Sequence, residues 1–424
     1  MHRPMNHDAA FNPEPRWKLR FWAVFGGQAF SLIGSALTQF VLLWWITDST
    51  GSLSAVATAG MAVLLPQALF GPLGGTFADR YSRRWLMIAA DAISALCMMA
   101  LIALFITERV ELWHAYALMA IRSAMQAFQA PAAMASVTML VPNTFLIRAS
   151  GMNQSLQSLT LVAAAPLGAL AISVMPIGWA LVIDVATALL AIVPLLCFRI
   201  PQAFAPAHRK PSLWREFQAG VALVVETPGL RQLYALLTVV VIAVLPTFTL
   251  LPLLVKDHFG GGAGQVALME GLSGVGMVIG GLLVAVISPR RPIHWILIGF
   301  AVSSLALGLT ALVPNRLFGV AIAWWVISGI CFVFGNAPMT ALLQRIIPNG
   351  MQGRALSLLN TLTGLSAPVG LAIVVPLSEA FGVREIFVIA GFLGAVVSLA
   401  GFFSPALLGL AESDRQRKQS DWEL

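Results

Sequence analysis

Apolar stretches of about 20 residues, each long enough to cross roughly 30 Å of hydrocarbon as a helix, recur from one end of this chain to the other. They lack the period-two alternation that marks the strands of a membrane barrel. Twelve such stretches can be counted, the first over 21–47 and the last over 386–410. Composition agrees: 58% of the residues are hydrophobic and 10% are charged, against about 25% charged in a soluble domain.

The few charges are unevenly placed. With the first span entered from the cytoplasm, twenty of the 25 Lys and Arg residues fall in inner segments. The outer loops hold Arg109, Lys256, Arg316 and Arg384, and Arg122 falls within a span. This is a positive-inside pattern. It predicts a multi-pass protein of the bacterial cytoplasmic (inner) membrane with both termini cytoplasmic. The net charge of +7 is then topological, and nucleic acid drops out as a partner. The first 20 residues are polar and basic without a cleavage site, so the first span is read as its own targeting signal. Cys97, Cys197 and Cys331 lie singly in apolar runs, a pattern that disfavours disulfides, zinc and iron–sulfur clusters.

The longest connection, Arg199 to Leu230, holds Pro201, Pro206, Pro211 and a His208-Arg209-Lys210 cluster. It divides the chain into an N-terminal six-helix half (1–199), a cytoplasmic linker (200–230), a C-terminal six-helix half (231–410) and a cytoplasmic tail (411–424). The halves echo each other. Gln129-Ala130-Pro131 is answered by Asn336-Ala337-Pro338, and Pro142-Asn143 precedes Arg148-Ala149 as Pro348-Asn349 precedes Arg354-Ala355. Pro166-Leu-Gly168 is answered, about one helical turn out of step, by Pro368-Val-Gly370. The expected fold class is an all-α membrane protein with twelve transmembrane helices in two pseudo-symmetric six-helix bundles. In such a layout the site lies near the midplane between the halves.

Between the second and third spans, Gly75-Thr-Phe-Ala-Asp79-Arg80-Tyr-Ser-Arg83-Arg84 packs one acid and three arginines into a short loop. It resembles the signature loop of the major facilitator superfamily, and the resemblance runs along essentially the whole chain through the spans, the linker and the repeat. Ser82 stands where many members have glycine. The counterpart between spans eight and nine is reduced to Ser288-Pro-Arg290-Arg291, without an acid. Leu118-xxx-Arg122 is similar to the buried-arginine motif of the drug-exporter branch, with Gln126 at an expected glycine. Ala165-Pro166-Leu-Gly168-Ala169 is similar to that branch's antiporter motif, with alanines at two usual glycines. Trp17-Lys-Leu-Arg20-Phe, Gly27-Gln28-Ala-Phe-Ser31, Arg122-Ser-Ala-Met and Gln154-Ser-Leu-Gln157-Ser resemble macrolide-efflux proteins. Siderophore exporters of the same branch look nearly as similar. The resemblance implies the major facilitator fold and efflux, and it leaves the cargo open.

The loop arginines belong to the positive-inside pattern, but Asp79 does not. An Asp near the inner end of a span can accept bonds from a neighbouring helix N-terminus and from the arginines around it. Gly75, Asp79, Arg80, Arg83 and Arg84, with Asp91 near the cytoplasmic end of span three, are read as a cytoplasmic gate that holds the outward-facing state. Proton relay and helix capping are the alternatives for Asp91.

A charge at the bilayer centre costs about 2.5–3.5 kcal/mol by insertion scales, so charges within spans mark function. Arg122 is expected to face the bundle interior, either anchoring polar cargo and tuning a nearby acid or bonding structurally to carbonyls and amides. Asp184 and Glu270 enter from the outer end, one in each half. A carboxyl in an apolar wall can be tuned by desolvation for proton exchange, and an acid wetted in a vestibule is the alternative. Glu270 ranks first as proton carrier. It precedes Gly271, Gly274, Gly276, Gly280 and Gly281, whose spacing permits close helix contact or sliding. Gln28, Gln39, Gln126, Gln157, Asn336 and Asn360 either bond helix to helix or line a cavity suited to a bulky amphiphile.

Enzyme motifs are missing. There is no GxxxxGK[ST] loop for ATP, the serines lack a His/Asp constellation, and the six histidines show no metal spacing. No catalytic residue, metal site or cofactor is expected. Transport must then draw on a gradient, and inward proton flow driving export is the natural source. The sequence thus predicts a monomeric secondary transporter exchanging protons for a small amphiphilic substrate, macrolide-like or a siderophore, with solute import in the same fold as the alternative. Its partners are cargo, protons and the lipid bilayer, with no nucleotide.

Overall fold

The computed structural model describes residues 17–200, 213–287, 291–347, 349–377 and 380–410. Six long helices come first: α1 (Trp17–Thr50), α2 (Leu53–Arg80), α3 (Arg83–Ile106), α4 (Leu112–Leu140), α5 (Leu146–Val174) and α6 (Ile177–Cys197). A shorter α7 (Leu213–Glu226) leads to α8 (Pro228–Asp257), α9 (Ala263–Ile287), α10 (Pro292–Leu312), α11 (Phe318–Ile346), α12 (Asn349–Leu377) and α13 (Val383–Ala400), with a one-turn α14 (Pro405–Leu408) at the end. Among the described residues, eleven helices are long and apolar enough to cross a membrane. The 29-residue α4, which carries Arg122, Gln126 and Gln129, is not among them. The stretch read as a linker contains α7, while residues 201–212, the reduced loop copy at 288–290 and the tail at 411–424 lie outside the described residues.

Local chemistry sets the boundaries. Gly51 takes φ +57°, a conformation glycine adopts without steric cost, and turns the chain from α1 into α2. Ser52 caps α2 by accepting from the Ala55 N–H at 3.4 Å. Prolines sit inside α2, α4, α5, α6, α8, α11 and α12. Transmembrane helices tolerate them when neighbours satisfy the freed backbone groups. Near Pro66, the Val63 carbonyl accepts from the Ser123 hydroxyl on α4.

Helix packing repeats with a shift of seven labels. α1 packs on α5 and α6 as α8 packs on α12 and α13; α2 packs on α4 as α9 packs on α11; α3 packs on α4 and α6 as α10 packs on α11 and α13. Between the halves the main contacts are α2 with α12 and α5 with α9, which exchange under the same shift. Small residues allow the close approaches: an ideal Cβ on Gly27 would sit 2.4 Å from the Leu190 carbonyl oxygen, and one on Gly391 would sit 2.4 Å from the Gly308 nitrogen. The glycines of α9 divide between two neighbours. Gly271 and Gly274 abut Pro166 and Val162 of α5, while Gly276 and Gly280 abut Val326 and Ile330 of α11.

The core is uneven along the bundle axis. At the end away from the α2–α3 loop, a single apolar cluster joins both halves, through Val41 and Ile46 of α1, Val56 of α2, Leu251 and Val255 of α8, Met269 of α9 and Phe387 of α13. At the loop end the clusters are separate. One, around Phe21, Met87 and Leu195, belongs to the first half; the other, around Leu233, Ile296 and Leu343, belongs to the second. The halves are therefore sealed at the far end and divided at the loop end. A polar clasp reinforces the sealed end, where Lys256 Nζ lies 3.2 Å from Asp48 Oδ1 and donates to the Asp48 and Thr47 carbonyls at 2.6 and 3.3 Å.

Candidate functional site: a polar tract through the first half

Helical spacing puts Gln28, Leu32, Ser35 and Gln39 on one face of α1, since residues three and four apart are stacked neighbours. Gly27 and Gly34 on the adjoining face let α6 approach closely, which brings Asp184 beside Ser35. Across from them, Arg122, Gln126 and Gln129 share one face of α4 by the same spacing.

These faces meet in two linked polar groups. Arg122 Nη2 forms an ion pair with Asp184 Oδ2 at 2.9 Å, with side-chain exposures of 11% and 5%. Ser35 Oγ donates to Asp184 Oδ1 at 3.1 Å, so Asp184 ties α6 to α4 and α1 together. Nearer the loop end, Gln129 Nε2 donates to Gln28 Oε1, and Gln28 Nε2 donates to Asp91 Oδ2 at 3.3 Å. This amide relay joins α4, α1 and α3. Asp91 and Asp184 are both buried.

A niche of about 130 Å³ holds both acids, with Gln28, Gln126, Gln129 and Gln157 in its wall. An adjoining cavity of about 200 Å³ is lined by Arg122, Gln39, Gln67 and Gln126. Between the halves, a cavity of about 490 Å³ is lined by Gln39, Gln157, Phe248, Glu270 and Trp325. A further cavity of about 1030 Å³, on the loop side between the halves, is lined by Gln67, Phe248, Phe300, Phe332, Asn336 and Asn360. Shared wall residues make these spaces continuous neighbours: Leu32 and Gln157 serve the niche and the Glu270 cavity, and Phe248 serves both cavities between the halves.

All six amides singled out in the sequence therefore line cavities, but they do not converge on one point. Gln28, Gln126 and Gln157 ring the niche, whereas Asn336 and Asn360 face the space between the halves. Glu270 lines the cavity between the halves, whereas Asp184 and Arg122 line the niche and its neighbour in the first half, and Glu270 has no ion-pair partner among the described residues. Sequence reasoning missed Ser35, Gln67 and Asn153. Ser35 was detectable, since it sits on the same helical face as Gln28 and Gln39. It also named Arg122 and Asp184 separately, since nothing in their positions shows that α4 and α6 present them to each other.

The signature loop is bonded within the first half. Arg83 donates to the Ala78 and Ala135 carbonyls at 3.1 and 2.8 Å, and Arg84 donates to the Leu195 and Leu196 carbonyls at 2.5 and 2.8 Å. The start of α3 is thereby held to the ends of α2, α4 and α6. Gly75 has open space beside it and Arg80 is exposed; the side chain of Asp79 lies outside the described residues. No cluster of three metal-ligating side chains occurs among the described residues.

The family model described as Major Facilitator Superfamily matches residues 24–371 and 236–422. Macrolide efflux protein A of Streptococcus pyogenes is 31% identical over 379 residues, covering 89% of this chain and 94% of that protein. Macrolide efflux protein A of Enterococcus faecalis is 30% identical, covering 74% of this chain and 98% of that protein. Among solved structures, the nucleoside transporter NupG is similar with a TM-score of 0.71 at 14% identity, covering 91% of this chain and 98% of that one. A bacterial homolog of the human lysosomal transporter Spinster, inward-facing and unoccupied, is similar with a TM-score of 0.66 at 15% identity, covering 95% of this chain and 98% of that one. These two share the fold at identities too low to speak for cargo. With the family model spanning most of its helices, this chain belongs to the Major Facilitator Superfamily and is a secondary transporter rather than an enzyme.

Proposed function

We propose that the protein exports amphiphilic, macrolide-like compounds by proton antiport and alternating access. The observation that carries the coupling is the Arg122–Asp184 pair, a buried ion pair beside a cavity. A pair of this kind is stable only while both partners are charged. Protonation of Asp184 releases Arg122 and the Ser35 hydroxyl, and so converts proton binding into a change in how α1, α4 and α6 are held. Glu270 supplies a second carboxyl in the cavity between the halves. The names of the relatives support macrolide cargo, and aromatic walls with scattered amides suit a bulky amphiphile.

The distribution of Lys and Arg supports a cytoplasmic loop end, so the conformation with divided loop-end cores is inward-open. In this reading α4 also crosses and brings the spans to twelve, its polar face being tolerated because it lines the polar tract. The signature loop then closes the cytoplasmic end in the opposite state. The test is accumulation of labelled macrolide in cells with and without the protein. Lower accumulation that disappears when the proton gradient is collapsed supports the reading. Equal macrolide accumulation with siderophore retained in cells lacking the protein moves the cargo to siderophores.

A further inference from the structure

Charge is unevenly shared among the internal spaces. Asp91 and Asp184 face the niche, Arg122 faces its neighbour, and Glu270 faces the cavity of about 490 Å³. The loop-side cavity of about 1030 Å³ differs: no Asp, Glu, Lys, Arg or His lines it among the described residues. It has no wall residue in common with the niche. Gln67 is the one it shares with the Arg122 cavity, and Arg122 is itself engaged by Asp184.

The polar groups of this cavity are neutral, and several are unspent. Gln67 of α2, Asn336 of α11 and Asn360 of α12 line it from both halves, and their side-chain amides have no partner among the described residues. Each carboxamide offers two N–H donors and an accepting oxygen. The hydroxyls of Thr340, Thr361 and Thr363, by contrast, donate to the Asn336, Ser357 and Leu359 carbonyls of their own helices. The repeat sharpens the point. Gln129 and Asn336 answer each other in sequence, yet Gln129 is spent on Gln28 while Asn336 is open to the cavity. Phe248, Phe300 and Phe332 supply apolar wall between the amides. As the halves close on a cargo, its polar groups lose water. An ionised group here would meet no opposite charge, which is costly, whereas a ketone, ester or hydroxyl would exchange water for an amide. Pockets for drug-sized ligands run to roughly 1,000 Å³, so the space takes the body of a large molecule.

We propose that the loop-side cavity binds the cargo through an uncharged, oxygen-rich body, with Gln67, Asn336 and Asn360 as its specificity-determining residues. The site reads ketones, esters and hydroxyls on an apolar frame and rejects ionised groups. The proposal rests on the exporter reading and narrows its substrate class to amphiphiles whose bound portion is neutral. The charged residues of the first half are then left to coupling.

The experiment measures binding to purified protein of one macrolide in four forms: the parent tertiary amine, its neutral N-acylated form, a hemisuccinate on a ring hydroxyl, and the methyl ester of that hemisuccinate. Wild type is expected to bind the acylated form at least as tightly as the amine. The hemisuccinate should bind at least about tenfold more weakly than its methyl ester. A tighter hold on the amine than on its acylated form, or equal binding of hemisuccinate and ester, overturns the proposal. So does failure of wild type to bind any form. Asn336→Leu and Asn360→Leu should each weaken the acylated macrolide by about fivefold or more, and Asn360→Gln, which keeps the amide, should recover most of the loss. Melting temperatures should hold, because neither amide is bonded to the protein; unchanged affinity, or affinity lost together with stability, overturns the assignment of these residues. Should a variant fail to fold, the four-form series on wild type tests the proposal alone. Cells separate it from the exporter reading. Amide-dependent binding with macrolide accumulation unaffected by the protein upholds the neutral site and overturns export. Macrolide export with binding that follows charge and ignores the amides overturns the proposal and leaves export standing.

Discussion

Arg122 on α4 and Asp184 on α6 form an ion pair at 2.9 Å, and Ser35 on α1 donates to the same carboxylate. Three helices of one bundle thus depend on a single charge. Removing one partner of a buried pair typically costs about 3–5 kcal/mol, because the other charge is stranded. Asp184→Asn and Arg122→Gln are each expected to lower the melting temperature of purified protein, whereas Arg122→Met combined with Asp184→Leu recovers most of the loss. Export should be abolished in all three. An uncoupling of the two readouts in the double variant distinguishes a working pair from a structural one.

The Asp48–Lys256 clasp is predicted to favour the state seen here. Lys256 also donates to the Thr47 and Asp48 carbonyls, so Lys256→Ala should loosen the sealed end more than Asp48→Ala. Both side chains are partly exposed, so overall stability changes by no more than about 1 kcal/mol. Spin labels at positions 54 and 264, on the far-end starts of α2 and α9, should report a larger population of long distances in Lys256→Ala than in wild type. Identical distance distributions would remove the clasp from the account.

Most of the helix plan was legible in the sequence, because an apolar run of membrane length has one economical solution in lipid. The repeat was legible too, and it reappears as matched packing of α1–α6 and α8–α13. Pairings across helices were not legible. Nothing in the positions of Arg122 and Asp184 gives the rotation of α4 and α6 about their axes, and Asp48 with Lys256 requires two halves in one particular state. The glycines of α9 show the same limit: their spacing signals close approach, but not that Gly274 meets α5 while Gly280 meets α11.

Those two glycine stripes make a paired prediction. A Cβ on Gly274 would lie 2.5 Å from Val162 Cγ2 across the interface between the halves, whereas Gly281 has nothing within 4 Å. Overpacking costs typically 1–3 kcal/mol, to order of magnitude. Gly274→Val should therefore disfavour the sealed conformation and slow transport, and Gly281→Ala should behave as wild type in both spin-label distances and export.

For the signature loop, Arg84→Ala removes the bonds to the Leu195 and Leu196 carbonyls and is expected to loosen the loop end of α6. Asp79→Asn should cripple transport while leaving membrane insertion intact, as judged by expression level and protease protection. Full export by Asp79→Asn would reduce the loop to a topology signal.

The central claim is that proton binding at the Arg122–Asp184 pair drives export, and reconstituted vesicles with an imposed pH gradient test it most directly. Labelled macrolide should move against its own gradient, in exchange for protons, through wild-type protein. Asp184→Asn should retain macrolide binding and lose at least nine-tenths of the gradient-driven flux, to order of magnitude. Undiminished proton-driven flux through Asp184→Asn would contradict the account.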